Sequence, residues 1–161
     1  MSPVHRIEAT QVLPITLEEA WAFFSDPRNL GRITPPELDF RITCELPERM
    51  VPGMIITYTL RPLFGIPVGW VTEITHVQEG VRFVDEQRAG PYQMWHHEHS
   101  FAAVPGGVEI RDVVHYSLPF GPLGELAHTL LVGAKVRGIF AYRRNVLRER
   151  FGSPIPAEAA S

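Results

Sequence analysis

Residues 94–117, MWHHEHSFAAVPGGVEIRDVVHYS, consist of two alternating segments on either side of Pro105-Gly106-Gly107. Alternation of apolar and polar residues with a period of two is typical of β-strands. Two adjacent glycines tolerate positive φ and indicate a tight turn between the segments. We therefore predict a β-hairpin with strands at about 92–104 and 108–118 and with Gly106-Gly107 as the two turn residues.

This turn predicts which hairpin residues lie opposite one another: Phe101 and Asp112, His99 and Val114, and His97 and Tyr116. Because side chains alternate along a strand, one face of the hairpin is largely apolar and is expected to point into the protein. A β-bulge in either strand would exchange the two faces. The members of the inward face are Trp95, His97, His99, Phe101, Ile110, Asp112, Val114, Tyr116 and Leu118.

The polar residues of this face need partners if they are buried, because an unpaired buried polar group costs roughly 2 kcal/mol or more. His99 and Asp112 are expected to be diagonal neighbours within hydrogen-bonding reach of each other. Two interpretations follow. His97, His99, Asp112 and Tyr116 form either a satisfied core network or the polar lining of a binding pocket.

A metal site is the third interpretation of the same residues. His97-x-His99 places two imidazoles on one face, and Asp112 would be a third ligand. The sequence offers no fourth ligand, and Ala102-Ala103-Val104 stands where a cupin-like site would have a glutamate. We therefore predict neither a metal ion nor a cofactor.

The segments before the hairpin alternate in the same way and are separated by glycines and prolines. They predict strands at about 4–13, 38–46, 54–62, 67–77 and 81–88. Thr16 and Glu19 have the spacing of a capping box, which predicts a helix over 17–24. Asp26-Pro27 predicts the start of a second helix that ends at Pro35-Pro36. Asp85-Glu86 is interpreted as a pair of surface residues at a strand end.

The segment after the hairpin, 123–151, has apolar residues at intervals of three and four, which predicts one long helix. Gly152 is expected to cap this helix and residues 153–161 to form a flexible tail. Arg143 lies on or near the apolar stripe of this helix and is either a solvated cation or an anchor for an acidic ligand. The stripe consists of Leu126, Leu130, Gly133, Val136, Phe140 and Leu147.

These elements predict an α+β fold in one domain, residues 1–152. Consecutive strands joined by tight turns pair antiparallel, and the long helix is the one element left to cover the sheet. The predicted architecture is a helix-grip fold: a curved antiparallel sheet of seven strands, two short helices after the first strand, and a long C-terminal helix. The space between a curled sheet and a helix is a natural ligand pocket.

Composition excludes several classes of protein. The 161 residues carry a formal charge of −3, with Lys+Arg 15 against Asp+Glu 18, so we expect no nucleic-acid partner. No apolar run approaches a membrane span, and the first residues lack a signal-peptide pattern, so we expect no membrane insertion and a cytoplasmic location. Cys44 is the only cysteine, which excludes an intrachain disulfide. The oligomeric state is left open.

The sequence resembles the SRPBCC (START/Bet v 1-like, polyketide cyclase-like) superfamily, and within it a bacterial ligand-binding branch. The resemblance covers nearly the whole chain up to about Arg150. It implies a helix-grip fold with an internal hydrophobic cavity. The residues that carry it are Tyr58, Gly65-Ile66-Pro67, Trp70, the run from Phe83 to Gln87, Gly90-Pro91-Tyr92, Trp95-x-His97-x-His99-x-Phe101, Gly106-Gly107, Asp112-x-Val114-x-Tyr116, Pro119-x-Gly121-x-Leu123-Gly124 and the run from Ile139 to Arg143.

Two functions are weighed. The first is binding or carrying of an apolar small molecule, lipid-like or aromatic and polyketide-like, by a protein without enzymatic activity. The second is a cyclase or aromatase, in which His97 or His99 is the general base, Asp112 orients it, and Tyr116 donates to an enolate oxygen. A module that binds another protein is a third possibility. The predicted ligand-binding residues are Tyr58, Trp70, Phe83, Trp95, His97, His99, Phe101, Asp112, Val114, Tyr116, Val136, Phe140 and Arg143.

Overall fold

A computed structural model describes residues 2–154 of the chain. Of the predicted tail, residues 155–161 lie outside the described residues. The elements are β1 (His5–Leu13), α1 (Leu17–Phe24), two 3-10 helices (Pro27–Ile33 and Pro36–Leu38), β2 (Arg41–Ile42), β3 (Met54–Leu60), β4 (Val68–Gln78), β5 (Arg82–Ala89), β6 (Met94–Val104), β7 (Gly107–Ser117), α2 (Pro122–Ala127), a π-helical turn (His128–Val132) and α3 (Gly133–Phe151).

The seven strands form one antiparallel sheet in the order β1-β7-β6-β5-β4-β3-β2. Strands β2 to β7 follow one another as a meander, and β1 returns to pair with β7. Two register shifts between β4 and β5 increase the local twist and help the sheet to curl. The predicted α+β fold, with its curved sheet and long C-terminal helix, is confirmed.

The hairpin keeps its predicted inward face, but its register is shifted by two residues. Val104 pairs with Gly107, so Pro105 and Gly106 form the turn instead of the two glycines. Proline suits the first turn position, and Gly106 supplies the positive φ, +87°, at the second. His99 is therefore directly opposite Asp112 instead of diagonal to it. A shift of two residues leaves every side chain on the same face.

Gly107 has a separate structural role at the start of β7. A Cβ atom at this position would lie 1.9 Å from the carbonyl oxygen of Leu13 at the end of β1. Only glycine permits this close approach of the two backbones.

Two predicted elements between β1 and β3 differ from expectation. Asp26 caps the second helix as predicted, accepting from the Arg28 amide, but the helix has 3-10 geometry and contains Gly31. Glycine weakens helix interiors, which favours a short 3-10 segment here. The strand predicted at 38–46 is reduced to β2, because a second 3-10 helix extends to Leu38 and Asp39 adopts a left-handed conformation.

The C-terminal helix was predicted as one continuous α-helix, but a π-helical turn interrupts it. A π-helical turn holds more residues than an α-helical turn and so changes which residues share a face. Leu126 and Leu130, before and within this turn, are therefore exposed, whereas Val136, Phe140 and Leu147 in α3 are buried as predicted. None of the helices in residues 2–154 is both long and apolar enough to cross a bilayer.

The core is divided into separate clusters along the inner face of the sheet. At one end, α1 covers the sheet, and Trp21 packs edge-on against Phe83 and Phe101. On the β1–β7 side, Val136 and Phe140 of α3 pack with Val114 and Tyr116 of β7. A third cluster lies on β3 and β4.

Candidate functional site

A cavity of about 380 Å³ lies between the inner face of the sheet, the 3-10 helices and α3. Its walls are mainly aliphatic and aromatic. The sheet contributes residues from β3 to β6, for example Ile56, and α3 contributes residues such as Ile139. A volume of this size is typical of sites for small organic ligands.

Nine of the thirteen predicted ligand-binding residues line this cavity. They come from four strands and from α3, so the sheet and the helix both contribute to the wall. The nine are Tyr58, Trp70, Phe83, Trp95, His97, His99, Val136, Phe140 and Arg143.

The other four predicted residues share the inner face of the sheet but do not line the cavity. Phe101 is covered by α1 through Trp21 and Phe24. Val114 and Tyr116 are covered by α3 in its contact with β7. Asp112 lies behind the two histidines. A residue on the inner face of the sheet does not necessarily line the cavity, because helices cover parts of that face.

Four buried charged or polar side chains and a fifth that is partly buried form a network at the cavity wall. We call Asp85, His97, His99, Asp112 and Arg143 the buried cluster. His97 Nε2 lies 2.8 Å from Asp112 Oδ1, and His99 Nε2 lies 2.8 Å from Asp85 Oδ2. On their other nitrogens, His97 Nδ1 is 3.5 Å from Asp85 Oδ2 and His99 Nδ1 is 2.9 Å from Asp112 Oδ1.

Asp85 is the residue of this cluster that the sequence analysis misassigned. It was interpreted as a surface residue, but its side chain is only 17% exposed and lines the cavity. Alternation along β5 places it on the same face as Phe83, while Glu86 points the other way and bonds to His96. The alternation along β5 could have assigned Asp85 to the inner face of the sheet. The adjacent Glu86 instead suggested a pair of surface carboxylates.

The protonation of the buried cluster follows from burial and from neighbouring charges. Burial lowers the pKa of His97, and the nearby His99 lowers it further. Burial also opposes charge on His99, but contacts with Asp112 and Asp85 outweigh it, so the pKa of His99 is raised. His99 is thus the favoured imidazolium and His97 the neutral ring.

Burial alone would raise the pKa of both carboxyl groups. Contacts with the histidines and with Arg143 outweigh burial and hold the pKa of Asp112 well below its usual range. The pKa of Asp85 is lowered as well, chiefly by His97 and His99. Two carboxylates, one imidazolium and one guanidinium leave this cluster without net charge, which is the condition for burying it.

Arg143 was predicted as a solvated cation or a ligand anchor, and it is not solvated. Its side chain is 10% exposed, and its Nη1 lies 3.4 Å from Asp112 Oδ1. The guanidinium also lies over the ring of Phe140. Its Nε–H has no hydrogen-bond partner among the described residues. The side chain of Arg143 lines the cavity, but the Nε atom itself is buried.

Aromatic rings form another part of the cavity wall. Trp70 stacks on Tyr58 and meets Trp95 edge-to-face, with ring centroids 5.8 and 5.4 Å apart respectively. The Trp70 indole donates to Thr72 Oγ1, so it needs no ligand to satisfy it. Burial raises the pKa of both Tyr58 and Tyr92, which keeps their hydroxyls neutral. Rings of this kind offer flat contact surfaces to an apolar molecule.

A second group of two histidines and a carboxylate lies away from the first. We call His5, Glu125 and His128 the peripheral cluster. His5 Nε2 is 3.1 Å from Glu125 Oε2, and the two imidazoles stack with centroids 3.5 Å apart and planes within 9°. Tyr116 bonds to His128 Nε2 at 2.9 Å. All three members of the peripheral cluster are partly exposed.

Comparison with known proteins gives structural neighbours but no sequence relatives. No protein-family model matches the chain, and no curated protein does. The protein TTHA0849 from Thermus thermophilus is similar over 99% of this chain and 100% of its own, with a TM-score of 0.67 and 18% identity. A START superfamily protein from Mycobacterium smegmatis has a TM-score of 0.64 and 13% identity, covering 91% and 97% of the two chains.

The ginseng major latex-like protein 151 from Panax ginseng is a third neighbour. Its TM-score is 0.67 at 8% identity, with 92% of this chain and 97% of that chain covered. The chain has the START/Bet v 1-like fold. The resemblance of its sequence to the SRPBCC superfamily is thereby confirmed at the level of the fold. Its placement in the bacterial ligand-binding branch stays a prediction.

Proposed function

We propose that the chain binds an apolar small molecule, lipid-like or aromatic and polyketide-like, in the cavity between its sheet and α3. The observation that carries this proposal is the cavity itself, about 380 Å³ with walls of mainly apolar side chains. Closing such walls on an apolar molecule removes apolar surface from water on both sides. The START/Bet v 1-like fold of the neighbours supports the proposal.

The buried cluster gives this ligand an orientation. Asp85, Arg143 and the two imidazoles are charged and polar groups on one side of a mainly apolar wall. A ligand with one acceptor group, such as a carbonyl or carboxylate, would lie towards the cationic side chains of Arg143 and His99. We therefore infer a ligand with an apolar body and a single polar end.

The enzymatic alternative has less support. It needs Tyr116 as a donor to an enolate oxygen, but the Tyr116 hydroxyl bonds to His128 and does not line the cavity. Tyr58 and Tyr92 do line it, at the aromatic wall. Binding without turnover is thus the function that the geometry favours. The single domain at 1–152 and the cytoplasmic location stay predictions.

Filling the cavity tests the proposal. Ile139 lines the cavity and Ala134 lies on the exposed side of the same helix, so Ile139→Trp and Ala134→Trp form a matched pair. N-phenyl-1-naphthylamine, a neutral dye that fluoresces in apolar surroundings, serves as the probe. We expect saturable binding by the wild type and by Ala134→Trp, and binding at least about tenfold weaker by Ile139→Trp.

Both variants are checked by circular dichroism and urea unfolding before titration. Equal dye affinity of a folded Ile139→Trp and the wild type would contradict the proposal, as would the absence of dye binding by the wild type.

A further inference from the structure

Three potential metal ligands of the buried cluster converge at the cavity. Asp85, His97 and His99 each offer one ligand atom, and these atoms lie within 4.8 Å of one another. All three residues line the cavity, so the convergent atoms adjoin space that a small ligand or water can enter. The sequence offers no fourth ligand beside His97, His99 and Asp112, which argued against a metal, but Asp85 supplies a further carboxylate from the neighbouring strand.

Hydrogen bonding shows which atoms of His97 are free to ligate. A neutral imidazole has one N–H, and we assign it to Nε2 because Asp112 Oδ1 is 2.8 Å away. The Nδ1 lone pair of His97 then faces Asp85 Oδ2, 3.5 Å away. Two acceptors that face each other repel unless a cation lies between or beside them.

Asp112 occupies the position of a supporting carboxylate behind both rings. It contacts Nε2 of His97 and Nδ1 of His99, and each ring turns its opposite nitrogen towards Asp85. In metal sites, ligating histidines commonly donate their second N–H to a carboxylate, as His97 Nε2–H does here, whereas His99 Nδ1 lies 2.9 Å from Asp112 Oδ1 without hydrogen-bonding geometry. Arg143 in turn keeps Asp112 charged.

We propose that Asp85, His97 and His99 bind one divalent transition-metal ion, with Asp112 holding the outer nitrogens of both imidazoles. The separations of 2.8 and 3.5 Å between Asp85 Oδ2 and the two ring nitrogens bracket the roughly 3.3 Å between tetrahedral ligands about 2.0 to 2.1 Å from zinc. The ring planes of His97 and His99 are inclined by 33°, and coordination requires them to open further.

The donor set defines the class of metal. Two imidazoles and one carboxylate suit zinc and ferrous iron, whereas magnesium and calcium prefer oxygen ligands throughout. Three protein ligands leave coordination positions open towards the cavity, where a polar group of a bound molecule can reach the ion.

The site goes beyond the proposed function and does not depend on it. The peripheral cluster has the same donor types and its ligand atoms also lie within 4.8 Å of one another, but its side chains are partly exposed and do not line the cavity. It therefore serves as the internal control.

Titration calorimetry of chelator-treated protein with ZnCl₂ tests the proposal. We expect one zinc ion per chain in the wild type and in Glu125→Gln, which disables the peripheral cluster. Asp85→Asn, a near-isosteric change, should weaken zinc binding by more than about 100-fold, and Asp112→Asn by about 10- to 100-fold. Absence of zinc binding by the wild type, or loss in Glu125→Gln with retention in Asp85→Asn, would overturn it.

X-ray absorption spectroscopy of bound zinc tests which residues are its ligands without variants of the buried cluster. In His5→Ala the peripheral cluster keeps a single imidazole, so a bound zinc with two imidazole ligands supports His97 and His99. A zinc spectrum with one imidazole or none in His5→Ala would contradict the proposal even if Asp85→Asn failed to fold.

Discussion

The buried and peripheral clusters contain the same three chemical groups in different surroundings. Each has two imidazoles and a carboxylate whose potential ligand atoms lie within 4.8 Å of one another. In the buried cluster the side chains of His97 and His99 are 5% and 8% exposed, and a second carboxylate and an arginine complete the charge balance. In the peripheral cluster Glu125 is 40% exposed, and water can replace any lost partner.

This difference teaches that surroundings, more than composition, determine what such a cluster contributes. Buried groups depend on one another, because a buried charge that loses its partner bears a large desolvation penalty. Groups at the surface are nearly independent, because solvent screens their charges.

Removing one carboxylate from each cluster should give very different losses of stability. Asp112→Asn leaves His99 and Arg143 with one buried counter-charge fewer, and we expect a loss of about 3–5 kcal/mol in the free energy of unfolding. Glu125→Gln removes an exposed ion pair and should cost less than about 1 kcal/mol. Urea unfolding at pH 7 measures both. Equal losses of unfolding free energy in the two variants would contradict the expected difference between the buried and peripheral clusters.

A smaller loss of stability is expected when the hydrogen bond between Tyr116 in the core and the peripheral cluster is removed. Tyr116→Phe keeps the buried ring but removes the hydroxyl that bonds to His128, which should cost about 1 kcal/mol. A double-mutant cycle with His128→Ala isolates this bond, because the loss should vanish in the His128→Ala background. If Tyr116→Phe costs as much stability in the His128→Ala background as in the wild type, the Tyr116 hydroxyl acts through another group.

The smallest effect concerns the titration of His128. Burial lowers its pKa from 6.5, and His5 lowers it further, while Glu125 opposes the shift. Because the folded-state pKa lies below the unfolded value, the unfolded chain binds more protons near pH 6, and stability there rises with pH. An NMR titration of the His128 ring should give a midpoint below 6.5, and a lower one in Glu125→Gln. A midpoint above 6.5 would contradict this description.

Much of the architecture could be predicted from local sequence signals. The alternation over 94–117 identified the inward face of the hairpin, and capping by Thr16 and Asp26 identified two helix starts. The register was wrong because Pro105, rather than Gly107, occupies the turn. The pattern of two glycines did not reveal that Gly107 is needed for its approach to Leu13.

The site was predicted less completely, because it depends on tertiary packing. Asp85 joins His97 and His99 only through the pairing of β5 with β6, which no local pattern specifies. Similarly, Tyr116 and Val114 lie on the predicted face, but α3 covers them and removes them from the cavity. Sequence alternation assigns a residue to a face, whereas packing decides which part of that face remains open.

The central claim, that an apolar molecule binds inside the cavity, is tested most directly by where such a molecule lies. The chain also exposes an apolar strip on and around α2, Leu123, Leu126 and Leu130, that offers an alternative site. Intermolecular NOEs from bound N-phenyl-1-naphthylamine distinguish the two. We predict NOEs to Ile56, Trp70 and Ile139 inside the cavity. NOEs confined to Leu123, Leu126 and Leu130 would contradict the account.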